Sequence, residues 1–107
     1  MATLTTITNG NLSATIDSAG AQLMSVKLGE GEYLWQGDER YWARRAPVLF
    51  PIVGCLRDGH AISTQGDVTL GRHGIARLYE HAVVSQTPSS VTYELASTDE
   101  TRASYPF

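Results

Sequence analysis

Residues 4–17 read LTTITNGNLSATID, and their pattern is the clearest indication of the fold class. Leu12, Ala14 and Ile16 alternate with polar residues, as in a β-strand that buries one face. The pair Asn9-Gly10 separates this run from an earlier threonine-rich one, and both residues of the pair tolerate a positive φ. The stretch therefore predicts an antiparallel hairpin that turns at Asn9-Gly10.

Strand patterns continue on both sides of a long middle segment. Apolar residues between positions 23 and 28, and the aromatic run Tyr33-Leu34-Trp35 after a glycine-rich turn, extend the first hairpin to a four-stranded meander. A small hairpin is predicted within residues 60–79, and a final pair, 80–87 with 90–97, is predicted to turn at Pro88-Ser89. These patterns predict an all-β, antiparallel fold.

The middle segment, residues 36–59, is predicted to be a long loop with a specified shape. Pro47 and Pro51 lack the backbone N–H that a central strand needs. Asp38 is predicted to cap a single helical turn. Long loops often carry binding sites, so functional residues are expected here and in the polar cluster that follows.

Length and composition limit the class of protein. The chain has 107 residues and a net charge of −3, so we expect one domain over 1–107 that binds neither nucleic acid nor an anionic membrane. Cys55 is the single cysteine, which excludes an internal disulfide. No apolar run reaches the ~18–20 residues that cross a bilayer. The N-terminus lacks a secretory signal pattern, and a cytoplasmic location is expected.

The cluster RHGIAR, residues 72–77, holds the strongest candidates for ligand binding. The imidazole of His73 offers one donor and one acceptor, which suits a sugar hydroxyl. Arg72 and Arg77 can direct guanidinium donors at a polar or anionic ligand, and Arg57 is a further candidate between two glycines. For each of these side chains, a structural or solvent-exposed role is the alternative.

Aromatic residues and the other histidines carry weaker signals. Trp35, near Tyr41 and Trp42, either packs in the core or stacks on the C–H face of a sugar. His81 falls in a predicted strand, where a surface or half-buried position is expected. No histidine pair has the spacing of metal ligands, and no phosphate-binding glycine loop precedes a helix, so neither a metal nor another cofactor is expected.

Several motifs together resemble the galactose mutarotase (aldose 1-epimerase) family, and above all its LacX-like branch. They occur in the family's order and spacing, and they are Glu32–Asp38, Tyr41-Trp42, Arg45–Gly54, Arg72–Arg77 and Tyr105–Phe107. The resemblance implies a β-supersandwich that binds a hexose in a cleft on one sheet. Because Arg72 and Arg77 can contact a phosphate, a hexose or hexose phosphate stays open as the ligand. It also implies that the α and β anomers are interconverted by general acid–base ring opening without a cofactor.

Two departures from the family pattern qualify this resemblance. Family enzymes are more than twice as long, and their acid histidine and base glutamate fall beyond these residues. His73 matches an earlier histidine that contacts and polarises the sugar. Cys55 stands where the family often has an arginine, with Arg57 two residues later.

The chain is therefore expected to be the N-terminal portion of a mutarotase-like domain. A non-catalytic sugar-binding module and an inactive truncated fragment stay open as alternatives. Sheet edges left open by such a portion predict self-association.

Overall fold

The computed structural model describes residues 2–107 and confirms an almost entirely antiparallel β fold. One sheet has the strand order β1-β2-β3-β4, and two hairpins, β5-β6 and β7-β8, follow it. The elements are β1 (Leu4–Asn9), β2 (Leu12–Asp17), β3 (Gln22–Leu28), β4 (Gly31–Glu32), β5 (His60–Ser63), β6 (Gly66–Thr69), β7 (Ala82–Thr87), β8 (Ser90–Glu94), α1 (Asp99–Ser104) and the 3-10 turns Arg57–Gly59 and Ala76–Leu78. Within residues 2–107, no helix has the length and apolarity needed to span a bilayer.

The first hairpin is confirmed, but its turn lies one residue later than predicted. Asn9 is still part of β1 and pairs with Leu12, so Gly10 and Asn11 form the two-residue loop. Of these two loop residues, only Gly10 has a positive φ, at 63°. A two-residue hairpin loop with glycine in the first position needs this freedom at one residue alone.

The third strand contains a bulge at Met24, which explains its irregular alternation. Its pairing with β2 shifts by one residue there. A bulge leaves backbone groups outside the ladder. The Met24 carbonyl accepts hydrogen bonds from Gln36 Nε2 at 2.9 Å and from an Arg45 guanidinium nitrogen at 2.7 Å. The bulge thus anchors the long loop to the sheet.

The predicted strand Tyr33–Trp35 is wrong, because the fourth strand is confined to Gly31–Glu32. The carboxylate of Glu32 accepts hydrogen bonds from the backbone N–H of Val26 at 2.9 Å and of Leu34 at 3.0 Å. The Glu32 carboxylate therefore accepts from backbone N–H groups that would bond to carbonyls in a longer strand ladder. The chain leaves the sheet at this point.

The two later hairpins are confirmed, but the strands of the last one, Ala82–Thr87 and Ser90–Glu94, are shorter than the predicted 80–87 and 90–97. The last hairpin turns at Pro88-Ser89. In the long loop, Asp38 Oδ1 accepts from the backbone N–H of Arg40 at 3.0 Å, which caps the predicted turn. The helix α1 was not predicted. It begins after Thr98, whose side chain and that of Thr101 form a reciprocal capping box.

Few apolar side chains are buried among the described residues. The buried apolar set is Val68, Leu70 and Ala76, while large apolar side chains on several strands are exposed. The radius of gyration is 16.1 Å, whereas a compact domain of this length has about 13 Å. The sheet faces of this chain are therefore largely open.

Candidate functional site

The site is built where the long loop crosses the histidine cluster. Gly74 forms a parallel bridge with Phe50, and the Phe50 carbonyl accepts from the backbone N–H of Ile75 at 2.8 Å and of Ala76 at 3.2 Å. Gly74 has a φ of 74°, and a Cβ atom there would collide with the Phe50 carbonyl. Only glycine allows this close approach without strain.

The crossing places His73 beside Gly54, and the two residues exchange hydrogen bonds. The backbone N–H of His73 donates to the Gly54 carbonyl at 2.8 Å, and the backbone N–H of Gly54 donates to His73 Nδ1 at 2.9 Å. In the neutral imidazole the proton must then lie on Nε2. The side chain of His73 makes no further hydrogen bond to residues 2–107. The histidine is therefore oriented, and it offers a donor.

His73 lines a cavity of about 380 Å³ between the two loops. The lining residues are Trp42, Arg44, Arg45, Ala46, Pro47, Leu49, Arg72, His73 and Arg77. The structure thus brings together three of the residues that the sequence indicated, His73, Arg72 and Arg77. Apolar and aromatic side chains with a few convergent donors are typical of a small-molecule site.

Arg77 is held firmly at the edge of this cavity. One of its terminal nitrogens donates to the Arg72 carbonyl at 3.0 Å. Gly20 lies against its backbone, so that a Cβ atom at Gly20 would be 2.9 Å from the Arg77 carbonyl oxygen. The Nε atom of Arg77 is buried and has no acceptor within residues 2–107. Its guanidinium therefore keeps unused hydrogen-bonding capacity.

Two of the predicted site residues lie outside the cavity lining. Arg57 is exposed in the first 3-10 turn. Trp35 donates from its indole Nε1 to the Trp42 carbonyl at 2.7 Å, and its ring meets Tyr41 edge to face at 6.2 Å. Trp35 therefore contacts the backbone of Trp42, a residue of the cavity lining.

Sequence reasoning missed part of the site and misplaced one histidine. Arg44 and Arg45 are not among the ligand-binding candidates that the sequence indicated, yet both line the cavity. Arg45 also has a structural role, since it donates to the Met24 carbonyl and to Gln36. The position of both arginines next to Trp42 and before Pro47 was the available signal. His81 is buried and lies just outside β7, and its Nδ1 is 3.1 Å from the Tyr79 carbonyl. Its predicted strand position is therefore wrong.

Comparison with known proteins places this architecture in a family. A family model described as aldose 1-epimerase matches residues 3–107. The chain belongs to the aldose 1-epimerase family. A curated relative, the chromosomally encoded Protein LacX of Lactococcus lactis subsp. lactis, is 37% identical over 103 residues, which cover 91% of this chain and 34% of that protein. The chain thus spans about a third of the length of the curated relatives it matches.

Solved structures show the same fold. A galactose mutarotase related enzyme from Lactobacillus acidophilus is 38% identical and superposes with a TM-score of 0.92, covering 98% of this chain and 36% of that one. A galactose mutarotase-like protein from Lactobacillus casei is 33% identical with a TM-score of 0.91, again over 98% of this chain and 36% of that one. The described residues therefore have a galactose mutarotase-like fold.

Proposed function

We propose that this chain forms the sugar-contacting cavity of an aldose 1-epimerase, which interconverts the α and β anomers of a hexose. The observation that carries the proposal is the pair His73 and Gly54, since it leaves Nε2 as the proton-bearing nitrogen of an oriented imidazole. Family membership supports the reaction class. The shared cavity supports joint action of His73 with Arg77.

The proposed chemistry assigns a contact to each of these side chains. Mutarotation needs a base that removes the proton of the C1 hydroxyl and an acid that protonates the ring oxygen, after which the open form turns and closes again. His73 donates from Nε2 to a sugar oxygen and polarises it, while Arg77 donates to hydroxyl groups. Trp42 packs on the C–H face of the pyranose.

The catalytic base and acid are proposed to lie outside residues 2–107. No Asp or Glu among these residues lines the cavity. The chain covers only 34% of the LacX protein, so a whole family member has further residues that can supply both groups.

The same absence of a lining carboxylate favours a second candidate function, a hexose-binding module without catalysis. Its donors can hold hydroxyl groups, but abstraction of the C1 hydroxyl proton needs a base. The two candidates therefore share the cavity and differ in whether the rest of the protein completes the reaction.

Polarimetry tests the first candidate on the product of the complete reading frame that contains residues 1–107. We expect faster mutarotation of α-D-galactose or α-D-glucose than the spontaneous rate. His73→Gln should lower this acceleration by about 10²-fold, as expected for the loss of one positioned hydrogen-bond donor to a polarised oxygen. His60→Gln is the matched control, since His60 lies in the exposed hairpin β5-β6.

Titration calorimetry separates the remaining outcomes. Hexose binding without faster mutarotation contradicts the epimerase and supports the binding module. If neither hexose binding nor faster mutarotation is observed, both candidate functions are contradicted. The inactive truncated fragment is then the remaining alternative. Arg57 and Trp35 as direct sugar contacts, the cytoplasmic location and the lack of a cofactor stay predictions.

A further inference from the structure

One wall of the cavity is held in place by a side chain from the sheet. This wall, the loop wall, is the stretch of the long loop that lines the cavity, residues 42–49. The amide oxygen of Gln22 accepts from the backbone N–H of Arg45 at 3.2 Å and from that of Ala46 at 3.1 Å. Both partners are donors, so only the oxygen of the amide can face them. Gln22 itself lies outside the cavity lining.

The sheet fixes the position of Gln22, the first residue of β3. On one edge, β3 pairs with β2, where Gln22 lies opposite Asp17. On the other edge, the short strand β4 pairs with β3 at Lys27 and Leu28. The beginning of β3 is left to contact the long loop at that edge. Gln22 therefore joins a strand of fixed position to the loop wall.

A second anchor acts on the same part of the loop wall, but it is more exposed. A guanidinium nitrogen of Arg45 donates to the Met24 carbonyl at 2.7 Å and to the amide oxygen of Gln36 at 2.9 Å. Gln36 is exposed, so water can replace its oxygen, whereas Gln22, Arg45 and Ala46 are half-buried. Partly buried N–H groups that lose their acceptor are costly. Loss of the Gln22 oxygen should therefore displace the loop wall.

We propose that Gln22 is a positioning residue of the sugar cavity, which sets the place of the loop wall without contacting the sugar. This inference rests on the proposed function and adds a residue on which hexose affinity depends. The proposed function has Trp42, in the loop wall, on the face of the pyranose, and the base and acid outside residues 2–107. Displacement of the loop wall should therefore weaken hexose binding and leave proton transfer intact. A loss of uniform binding of this kind raises KM and leaves kcat unchanged.

Two substitutions of Gln22 in the product of the complete reading frame test the proposal. Gln22→Met keeps the length of the side chain, but a thioether is a weak acceptor. We expect the Kd for D-galactose in titration calorimetry and the KM in polarimetry to rise by about three- to tenfold, in line with lost hydrogen bonds. The kcat should stay within about twofold. Gln22→Glu keeps an acceptor oxygen and should bind galactose with an affinity within about twofold of that of the unsubstituted protein.

Gly10→Ala is the matched control for a general loss of stability. Gly10 has a φ of 63° in the β1-β2 turn, where a Cβ atom would meet nothing within 4 Å. Alanine is strained at this φ, so the variant should unfold at a lower urea concentration. Its galactose affinity should not change, because the turn lies outside the cavity lining. Amide hydrogen exchange at Arg45 and Ala46 should be faster in Gln22→Met than in Gly10→Ala.

The outcomes separate this inference from the proposed function. Unchanged galactose affinity in Gln22→Met overturns the positioning role and leaves the sugar site intact. Equal losses of affinity in Gln22→Met and Gln22→Glu also overturn it, since the acceptor oxygen would then not matter. A similar loss in Gly10→Ala would show an effect of stability alone and would overturn it as well. If the unsubstituted protein neither binds a hexose nor accelerates mutarotation, the proposed function is contradicted, and this inference with it.

Discussion

His73 and Gly54 hold each other through two hydrogen bonds, although they lie 19 positions apart in the chain. One bond joins backbone groups, and the other joins the Gly54 N–H to the imidazole Nδ1. The backbone of one loop therefore sets both the position and the tautomer of the histidine on the other. These two hydrogen bonds orient the imidazole of His73, so that Nε2 of the neutral ring is available as a hydrogen-bond donor.

The first prediction concerns these tautomers. The neutral ring of His73 should carry its proton on Nε2, because Nδ1 accepts from Gly54. His81 is an internal control with the opposite expectation. Its Nδ1 lies 3.1 Å from the Tyr79 carbonyl, which can only accept, so Nδ1 must hold the proton. Long-range ¹H–¹⁵N correlation spectra distinguish the two forms, and a proton on Nδ1 of His73 would contradict the orientation.

The second prediction separates backbone strain from collision. Gly54→Ala should cost about 1 kcal/mol of stability, since φ is 84° there but a Cβ atom meets nothing within 4 Å. Gly74→Ala combines a φ of 74° with a collision against Phe50, so the cost should be at least about twice as large. Urea denaturation of both variants measures the difference. Equal costs would show that Phe50 can move away.

The third prediction concerns acid stability. A hydrogen bond from Ser25, followed by those from the backbone N–H groups of Leu34 and Val26, lowers the pKa of Glu32 from 4.5 to about 2. The charged form is therefore favoured by folding. Its stabilisation is complete above pH 4.5 and is lost as the pH falls towards 2.

Glu32→Gln should remove that part of the pH dependence. The variant should unfold more easily at neutral pH and lose less stability between pH 4.5 and 2 than the unsubstituted chain. Glu30→Gln, in the exposed adjacent turn, is the matched control. Urea denaturation at several pH values provides the test, and parallel curves for Glu32→Gln and the unsubstituted chain would refute the assignment.

The fourth prediction tests Trp35 as a positioning residue. Trp35→Phe removes the indole donor to the Trp42 carbonyl, a bond of 2.7 Å, while it keeps an aromatic ring. We expect hexose affinity to fall by about three- to tenfold, in line with the loss of one hydrogen bond. Tyr33→Phe, on the same segment and exposed, should have no effect. Unchanged affinity in Trp35→Phe would contradict the link to Trp42.

The fifth prediction concerns self-association of the chain. Strand β7 is exposed along its whole length, and it carries Val83 and Val84. Open strands with apolar side chains promote pairing between molecules, and lysine opposes it. Sedimentation velocity should show concentration-dependent association that Val83→Lys reduces more than Ser85→Lys does. A monomer at all concentrations would contradict this prediction.

Local patterns predicted the strand pairs well, because adjacent strands and their turn residues are close in the sequence. The hairpin β7-β8 and its turn at Pro88-Ser89 are examples. Prediction failed where a side chain replaced a backbone partner. Glu32 ends the fourth strand in this way, and Thr98 begins α1 through its capping hydrogen bonds. The periodicity of apolar residues does not indicate where such side-chain hydrogen bonds will end a strand or begin a helix.

The chemistry that is available can be identified from the amino-acid sequence alone: an imidazole and two guanidinium groups within residues 72–77. The family resemblance can also be identified there, and the match to the aldose 1-epimerase family model confirms it. Which of these groups share a cavity depends on contacts between residues that are distant in the sequence. The tertiary structure brings Arg44 and Arg45 to His73 and leaves Arg57 outside the lining. The physical reason is that the contacts from Phe50 to Gly74 and from Gly54 to His73 set the distance between two remote loops. No local pattern specifies such a distance.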